Sequence, residues 1–188
     1  MSFTVAELFT RVIRHVGKTF VAPRTSNKGA TGLLLETLTG IPHTSNCLDC
    51  TDGELKVYPV IRKGDRIVPK ETIAVCMLSK EDLTACTFAN SRPYKKLSNM
   101  LLVPYERNGD TITFHQPYLF LMSKHPLIAD TLCADYETIR EGFVRDGTLT
   151  SRTGTHLQNR TKGAGHGSTS RAFYLRKGFM SQIHPVHL

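Results

Sequence analysis

The sequence predicts an α/β protein in which a sheet carries helices on its faces. Two observations lead there. Apolar residues recur at helical spacing over residues 4–15 and 126–145, and strand-like runs stand between them, E-L-K-V-Y-P-V at 54–60, E-T-I-A-V-C-M-L at 71–78 and T-I-T-F-H at 111–115. A chain of 188 residues fits one domain with room for a real core, and neither a second domain nor a linker is required.

Taken in order, the first helix sets Leu8, Phe9, Val12, Ile13 and Val16 on one stripe and Arg11, Arg14 and Lys18 off it, the pattern of a surface helix packed on a core. A polar approach, P-R-T-S-N-K-G-A-T-G, leads into L-L-L-E-T-L, a second helix stopped by Gly40 as its C′ residue. Glu36 falls in this apolar part beside Leu33, Leu34, Leu35 and Leu38, where a carboxylate is costly unless it meets a cation, a proton or a metal. Beyond the strand at 54–60, I-R-K-G-D-R-I-V-P-K reads as a hairpin connection and E-T-I-A-V-C-M-L as a largely buried strand. S-R-P-Y-K-K-L-S-N reads as a loop and short helix, M-L-L-V-P-Y as a strand, and Asn108-Gly109-Asp110 as the turn before the return strand. The long helix at 126–145 aligns Ile128, Leu132, Tyr136, Ile139 and Phe143 as core residues and closes at Gly147. H-L-Q-N-R-T-K then reads as a strand, G-A-G-H-G-S-T-S-R as a flexible loop, and A-F-Y-L-R-K-G-F as ordered chain again.

Lysine and arginine outnumber aspartate and glutamate by 24 to 16, a formal charge of +8 that suits a polyanionic partner without separating DNA from RNA or an anionic membrane. Much of the late basic charge, Arg160, Lys162, Arg171, Arg176 and Lys177, lies around Phe173 and Tyr174. No apolar run approaches the roughly 18 residues of a transmembrane helix, and the first residues lack signal-peptide order, so a soluble, cytoplasmic protein with no membrane partner is expected. Cys47 and Cys50 form a C-x-x-C with His43 nearby. No second pair with zinc-ligand spacing follows, and the five cysteines read as reduced thiols.

The chemistry concentrates in L-D-C-T-D-G-E-L-K-V-Y-P-V at 48–60. Side chains two apart on a strand share a face, so Glu54 and Lys56 lie together while Leu55 and Val57 turn to the opposite side, where a core can take them. An aspartate, Asp49 or Asp52, precedes them. Two acidic side chains suit a hard divalent cation such as Mg²⁺, and the lysine can position an attacking water or offset charge at phosphorus. By itself the string also fits a solvated strand face.

Five stretches in one order narrow this reading: N-K-G-A-T-G-L-L-L-E at 27–36, D-C-T-D-G-E-L-K-V-Y-P-V at 49–60, K-K-L-S-N-M-L-L-V-P at 95–104, H-L-Q-N-R-T-K at 156–162 and R-A-F-Y-L-R-K-G-F at 171–179. Together they resemble the MutH family of mismatch repair and GATC-cutting type II restriction endonucleases. The resemblance implies a single domain over residues 1–188 with a restriction-endonuclease-like mixed sheet flanked by helices and a DNA-binding cleft. By the same resemblance Glu36 matches an active-site helix carboxylate, Glu54 and Lys56 match the D…ExK motif, and Lys96 matches a further active-site lysine. Asp49 is preferred as first metal ligand for its odd spacing to Glu54, which leaves Asp52 to a D-G turn. Lys28 and Gly29 match a DNA-contacting loop, and Arg160, Lys162 and Tyr174 match base-reading positions.

What the resemblance implies as a whole is a Mg²⁺-dependent, sequence-specific endonuclease on double-stranded DNA, cutting near a short GATC-like site in restriction or repair. It would act as a monomer or a DNA-bridged dimer, with activating repair proteins as further partners in the repair role. A catalytically silent DNA-binding module of the same fold is the alternative, and a non-catalytic RNA-binding protein a more distant one.

Overall fold

Thr4 starts the first helix. In the computed structural model, which describes residues 3–25, 27, 29–42, 47–162, 169–183 and 186–187, the Thr4 hydroxyl accepts the Glu7 N–H at 3.2 Å and the Glu7 carboxylate accepts the Thr4 N–H at 2.8 Å. The elements then follow in the order α1 (Val5–Ile13), β1 (Thr19–Val21), α2 (Ala30–Thr39), β2 (Glu54–Lys63), β3 (Arg66–Pro69), β4 (Ile73–Met77), α3 (Lys80–Ala85), α4 (Arg92–Leu97), β5 (Asn99–Asn108), β6 (Thr111–Phe114), β7 (Tyr118–Leu121), α5 (Pro126–Asp146), β8 (Leu157–Thr161), β9 (Arg171–Leu175), α6 (Lys177–Ile183) and β10 (Val186–His187). The chain is mixed α/β with a mixed sheet flanked by helices, consistent with a restriction-endonuclease-like fold.

Two compact units divide these elements, and the chain passes between them more than once. The first comprises Met1–Glu71, Asn99–Phe120 and His184–Leu188, and the second Thr72–Ser98 and Leu121–Ile183. In the first, the strands run β1-β6-β5-β2-β3-β10, with β7 also on β5, and β2 and β5 are parallel while β1–β6, β5–β6, β2–β3 and β3–β10 are antiparallel. Leu55 of β2 and Leu101 and Val103 of β5 project to one core with Val5, Leu8 and Val12 of α1 and Leu35 of α2. The expectation that Leu55 and Val57 face a core therefore holds, with Val57 partly buried against it.

The first helix is shorter than its apolar stripe suggests. It ends at Ile13, and Val16 instead forms a bridge with Phe114 as Gly17 turns at φ 74° and donates its N–H to the Phe114 carbonyl. Gly40 closes α2 at φ 73°, as its position predicts. The stretch read as a hairpin connection is itself two strand arms, β2 and β3, joined at Gly64-Asp65 with Lys63 opposite Arg66.

In the second unit β9 lies between β4 and β8, antiparallel to both. Helix α5 backs this sheet by stacking Tyr136 on Phe173, ring centroids 5.7 Å apart. The short α3 was not anticipated, although Ser79 accepts the Asp82 N–H in an ordinary N-cap. Among the described residues no helix is long and apolar enough to cross a membrane.

Candidate active site

The D-C-T-D-G-E-L-K stretch is held at several points. Asp49 Oδ2 accepts the Leu55 N–H at 3.0 Å, Cys50 donates its N–H to the Gly53 carbonyl at 2.9 Å, and Thr51 donates its N–H to the Phe3 carbonyl at 2.9 Å. Asp52 does something else. Its Oδ1 accepts the Val5 N–H at 2.7 Å, in the first turn of α1, where a carboxylate is favoured by the orphan N–H groups and the helix dipole. Its carbonyl accepts from the Asn99 side chain at 3.0 Å. Asp49, the aspartate preferred from the sequence, ties to β2 through the Leu55 N–H, while Asp52 serves the helix.

Gly53 must be glycine. A Cβ there would run into the Asn99 carbonyl oxygen and stand 2.6 Å from the Val5 Cγ2 atom. That close approach lets β2 begin at Glu54 directly opposite Met100 of β5.

Glu54 is only 2% exposed, so the motif does not lie on a solvated strand face. Lys56 Nζ, half-buried, lies 2.6 Å from the buried Glu54 Oε1, an ion pair of two residues on one face of β2. Cys50, also buried, registers the charge around it. Burial first, and then the Asp49, Asp52 and Glu54 carboxylates, push its thiol up to about 12. Three carboxylates acting on one sulfur mark a strongly negative locality. His43 lies outside the described residues.

Among the described residues no group of three His, Cys, Asp or Glu side chains is arranged to hold a metal ion. A cation here would therefore rest on two carboxylates and water, a donor set that fits Mg²⁺, which keeps several waters, better than a thiophilic metal.

Glu36 lies in the same unit on α2, which packs against β2. It is half-buried, and its setting is less apolar than the run of leucines suggests. The buried stripe of α2 is Thr31, Leu35 and Thr39, while Leu33 is 38% exposed and Thr37 is exposed. Gly29 is the N-cap position of α2, with its N–H on Asn27 Oδ1 at 2.9 Å, and Lys28 lies outside the described residues.

Lys96, Arg160, Lys162 and Tyr174 belong to the second unit. Lys96 is half-buried on α4. Tyr174 stands directly opposite Gln158 and diagonal to Arg160, whose guanidinium carbon is 5.7 Å from the tyrosine ring centroid. Arg160 Nη1 also donates to Thr72 Oγ1 at 3.1 Å. Lys162 is exposed just past β8, with its backbone N–H on the Ser170 carbonyl, and residues 163–168 of the glycine-rich loop lie outside the described residues.

Asp135 was missed from sequence. On α5 and 6% exposed, its carboxylate accepts the N–H groups of Thr155 at 2.7 Å, His156 at 2.6 Å and Leu157 at 2.7 Å, gripping the chain as it turns into β8. Gly154 makes the turn tight enough at φ 86°, where a Cβ would meet the Leu157 carbonyl.

Against known proteins, a search of curated proteins gives no match. The family model described as DNA mismatch repair enzyme MutH matches residues 45–129. That segment holds Asp49, Glu54, Lys56 and Lys96, and its match supports assigning the chain to a MutH-like nuclease family.

Proposed function

We propose that the protein is a divalent-metal-dependent endonuclease that hydrolyses phosphodiester bonds of duplex DNA at a short GATC-like site, in restriction or in repair-type nicking. One observation supports this most: the Glu54–Lys56 pair, with its carboxylate buried, and Asp49 hydrogen-bonded to the Leu55 N–H of the same strand, inside the segment that matches the MutH family. A bare solvated strand face would have no reason to bury a carboxylate and a lysine against one another.

In this reading Asp49 and Glu54 hold Mg²⁺, with Glu36 contributing through water or a second cation. The bound cation supplies Lewis-acid polarisation of the phosphate. Lys56, kept beside Glu54 by their ion pair, orients the attacking water and offsets the negative charge that gathers as its oxygen bonds to phosphorus and the bond to the leaving deoxyribose oxygen breaks. Lys96 stabilises charge on the phosphate. Arg160 and Lys162 donate to guanine edges, where acceptors face the major groove, and Tyr174 packs beside an adenine or thymine edge. Lys28 and Gly29 meet the DNA backbone ahead of α2.

The test is purified protein on supercoiled plasmid, with and without Mg²⁺, on unmethylated and adenine-methylated DNA, with Lys56→Ala alongside. Discrete nicks or fragments that need the metal and vanish in the variant are expected, and Arg160→Ala should blur the cutting pattern. Binding without cleavage under every divalent cation tried would replace this reading with a silent DNA-binding module, or with a nickase that needs an activating protein.

A further inference from the structure

Beside β8 the second unit has a hollow of about 390 Å³ lined by Leu149, Thr150, Ser151, Arg160, Thr161 and Arg171. Three hydroxyl side chains and two arginines form its lining, and no carboxylate does. We propose that this hollow is a phosphate site, taking one backbone phosphodiester of duplex DNA. The assignment rests on the DNA-binding reading above and adds a residue to it, Arg171.

The geometry is that of a prepared anion receptor. Arg171 is held by Asn159, which is 1% exposed: its Nε donates to Asn159 Oδ1 at 2.6 Å and its Nη2 to the Asn159 carbonyl at 3.3 Å, while Nη1 reaches Thr161 Oγ1 at 3.4 Å. Asn159 is fixed in turn, its amide donating to the Thr150 carbonyl at 3.0 Å. The facing wall is tied by Arg176, whose Nη2 donates to the carbonyls of Ser151 at 2.7 Å and Thr153 at 3.0 Å. A guanidinium has five N–H donors, and these bonds use three, which leaves two for an incoming oxyanion in a fork already set.

Charge points the same way. Among the described residues no carboxylate pairs with Arg171, so a half-buried cation stands in a polar hollow with its charge unmet. Burial lowers its pKa, the cost that a bound anion would offset. A phosphate supplies the negative charge and several acceptors for the remaining N–H groups and the hydroxyls. Arg160, which also lines the hollow, is a position expected on DNA, and a backbone phosphate is the anion that duplex DNA offers there.

The experiment measures duplex binding against salt concentration for the full chain, Arg171→Gln and Ser151→Asp. Each neutralised phosphate contributes a slope of about 0.9 in log K against log salt, so loss of this contact should flatten the slope by about 1 in Arg171→Gln. The loss of affinity should be equal on site-bearing and scrambled duplexes. Because Arg171→Gln also removes bonds to Asn159, Ser151→Asp is the second variant: it sets a carboxylate in the hollow from an exposed position, and weaker binding is expected with an unchanged thermal midpoint. A duplex scanned with neutral methylphosphonate linkages should show one position that weakens the wild type but not Arg171→Gln.

Unchanged affinity and slope in both variants, with the wild type binding normally, would overturn the phosphate site and leave the DNA reading standing. Loss confined to the site-bearing duplex would overturn it by making Arg171 a base reader. Stabilisation by inorganic phosphate, with duplex binding indifferent to both substitutions, would make it a free-phosphate site and overturn the DNA assignment. A wild type that binds no duplex at any salt would overturn the DNA reading and this site together.

Discussion

Lys56 and Glu54 are coupled tightly enough that substitution tests two properties at once. Removing Lys56 takes from a 2% exposed carboxylate the cation 2.6 Å away, and breaking a buried pair in this way costs several kcal/mol when both partners are desolvated. Lysine 56 keeps 15% of its side chain exposed, so Lys56→Ala is expected to cost about 2–3 kcal/mol by chemical denaturation as well as abolishing cleavage. Glu54→Gln/Lys56→Gln should recover most of that stability and none of the cleavage. Equal stability losses from the single and double variants would show that the pair is not coupled. Cys50 offers a gentler probe of the same locality. Its thiol, pushed up to about 12, should alkylate with iodoacetamide far more slowly at pH 8 than the exposed Cys47, as read by peptide mass spectrometry without added metal. Rapid labelling of Cys50 in the native protein would mean that the carboxylates do not act on it as described.

The β8–β9 hairpin depends on α5 as well as on its own ladder. Asp135 contributes three charge-assisted hydrogen bonds to the turn before β8, and an asparagine in its place offers one oxygen and an amide that repels the remaining N–H. Asp135→Asn is expected to destabilise the fold by about 3 kcal/mol and to raise hydrogen exchange at Thr155, His156 and Leu157 first. Uniform exchange rates across those amides in the variant would remove Asp135 from this role. The cost argument that singles out Glu36 applies more strongly here. Asp135 sits on the helical stripe of Leu132, Tyr136 and Ile139, all buried, whereas Glu36 borders an exposed Leu33. Spacing on the long helix could have shown Asp135 to be buried, although not which amides it meets.

At the scale of the molecule, two histidines set a pH dependence. Burial lowers the pKa of His115 against the opposing pull of Glu106, and burial lowers that of His156 against Asp135 and Gln182. Each therefore binds a proton more readily unfolded, at its ordinary value of 6.5, than folded. Their contribution to stability is complete above pH 6.5 and is lost as pH falls from there through the lower folded values. A falling thermal midpoint between pH 7.5 and 5.5 is expected, with a shallower fall in His156→Gln. A flat midpoint over that window would contradict both assignments. The α/β class, the helix stops at Gly40 and Gly147, the shared face of Glu54 and Lys56, and the core side of Leu55 were legible from residue order alone, because these follow from the periods of strand and helix and from glycine's access to positive φ. The packed fold was needed to show that Asp49 ties back to β2 through the Leu55 N–H while Asp52 holds α1, that Val16 leaves its helix for Phe114, and that Asn159 and Thr161 aim Arg171. Those outcomes are set by backbone N–H and carbonyl groups far apart in sequence, whose pairing appears only when the chain has closed.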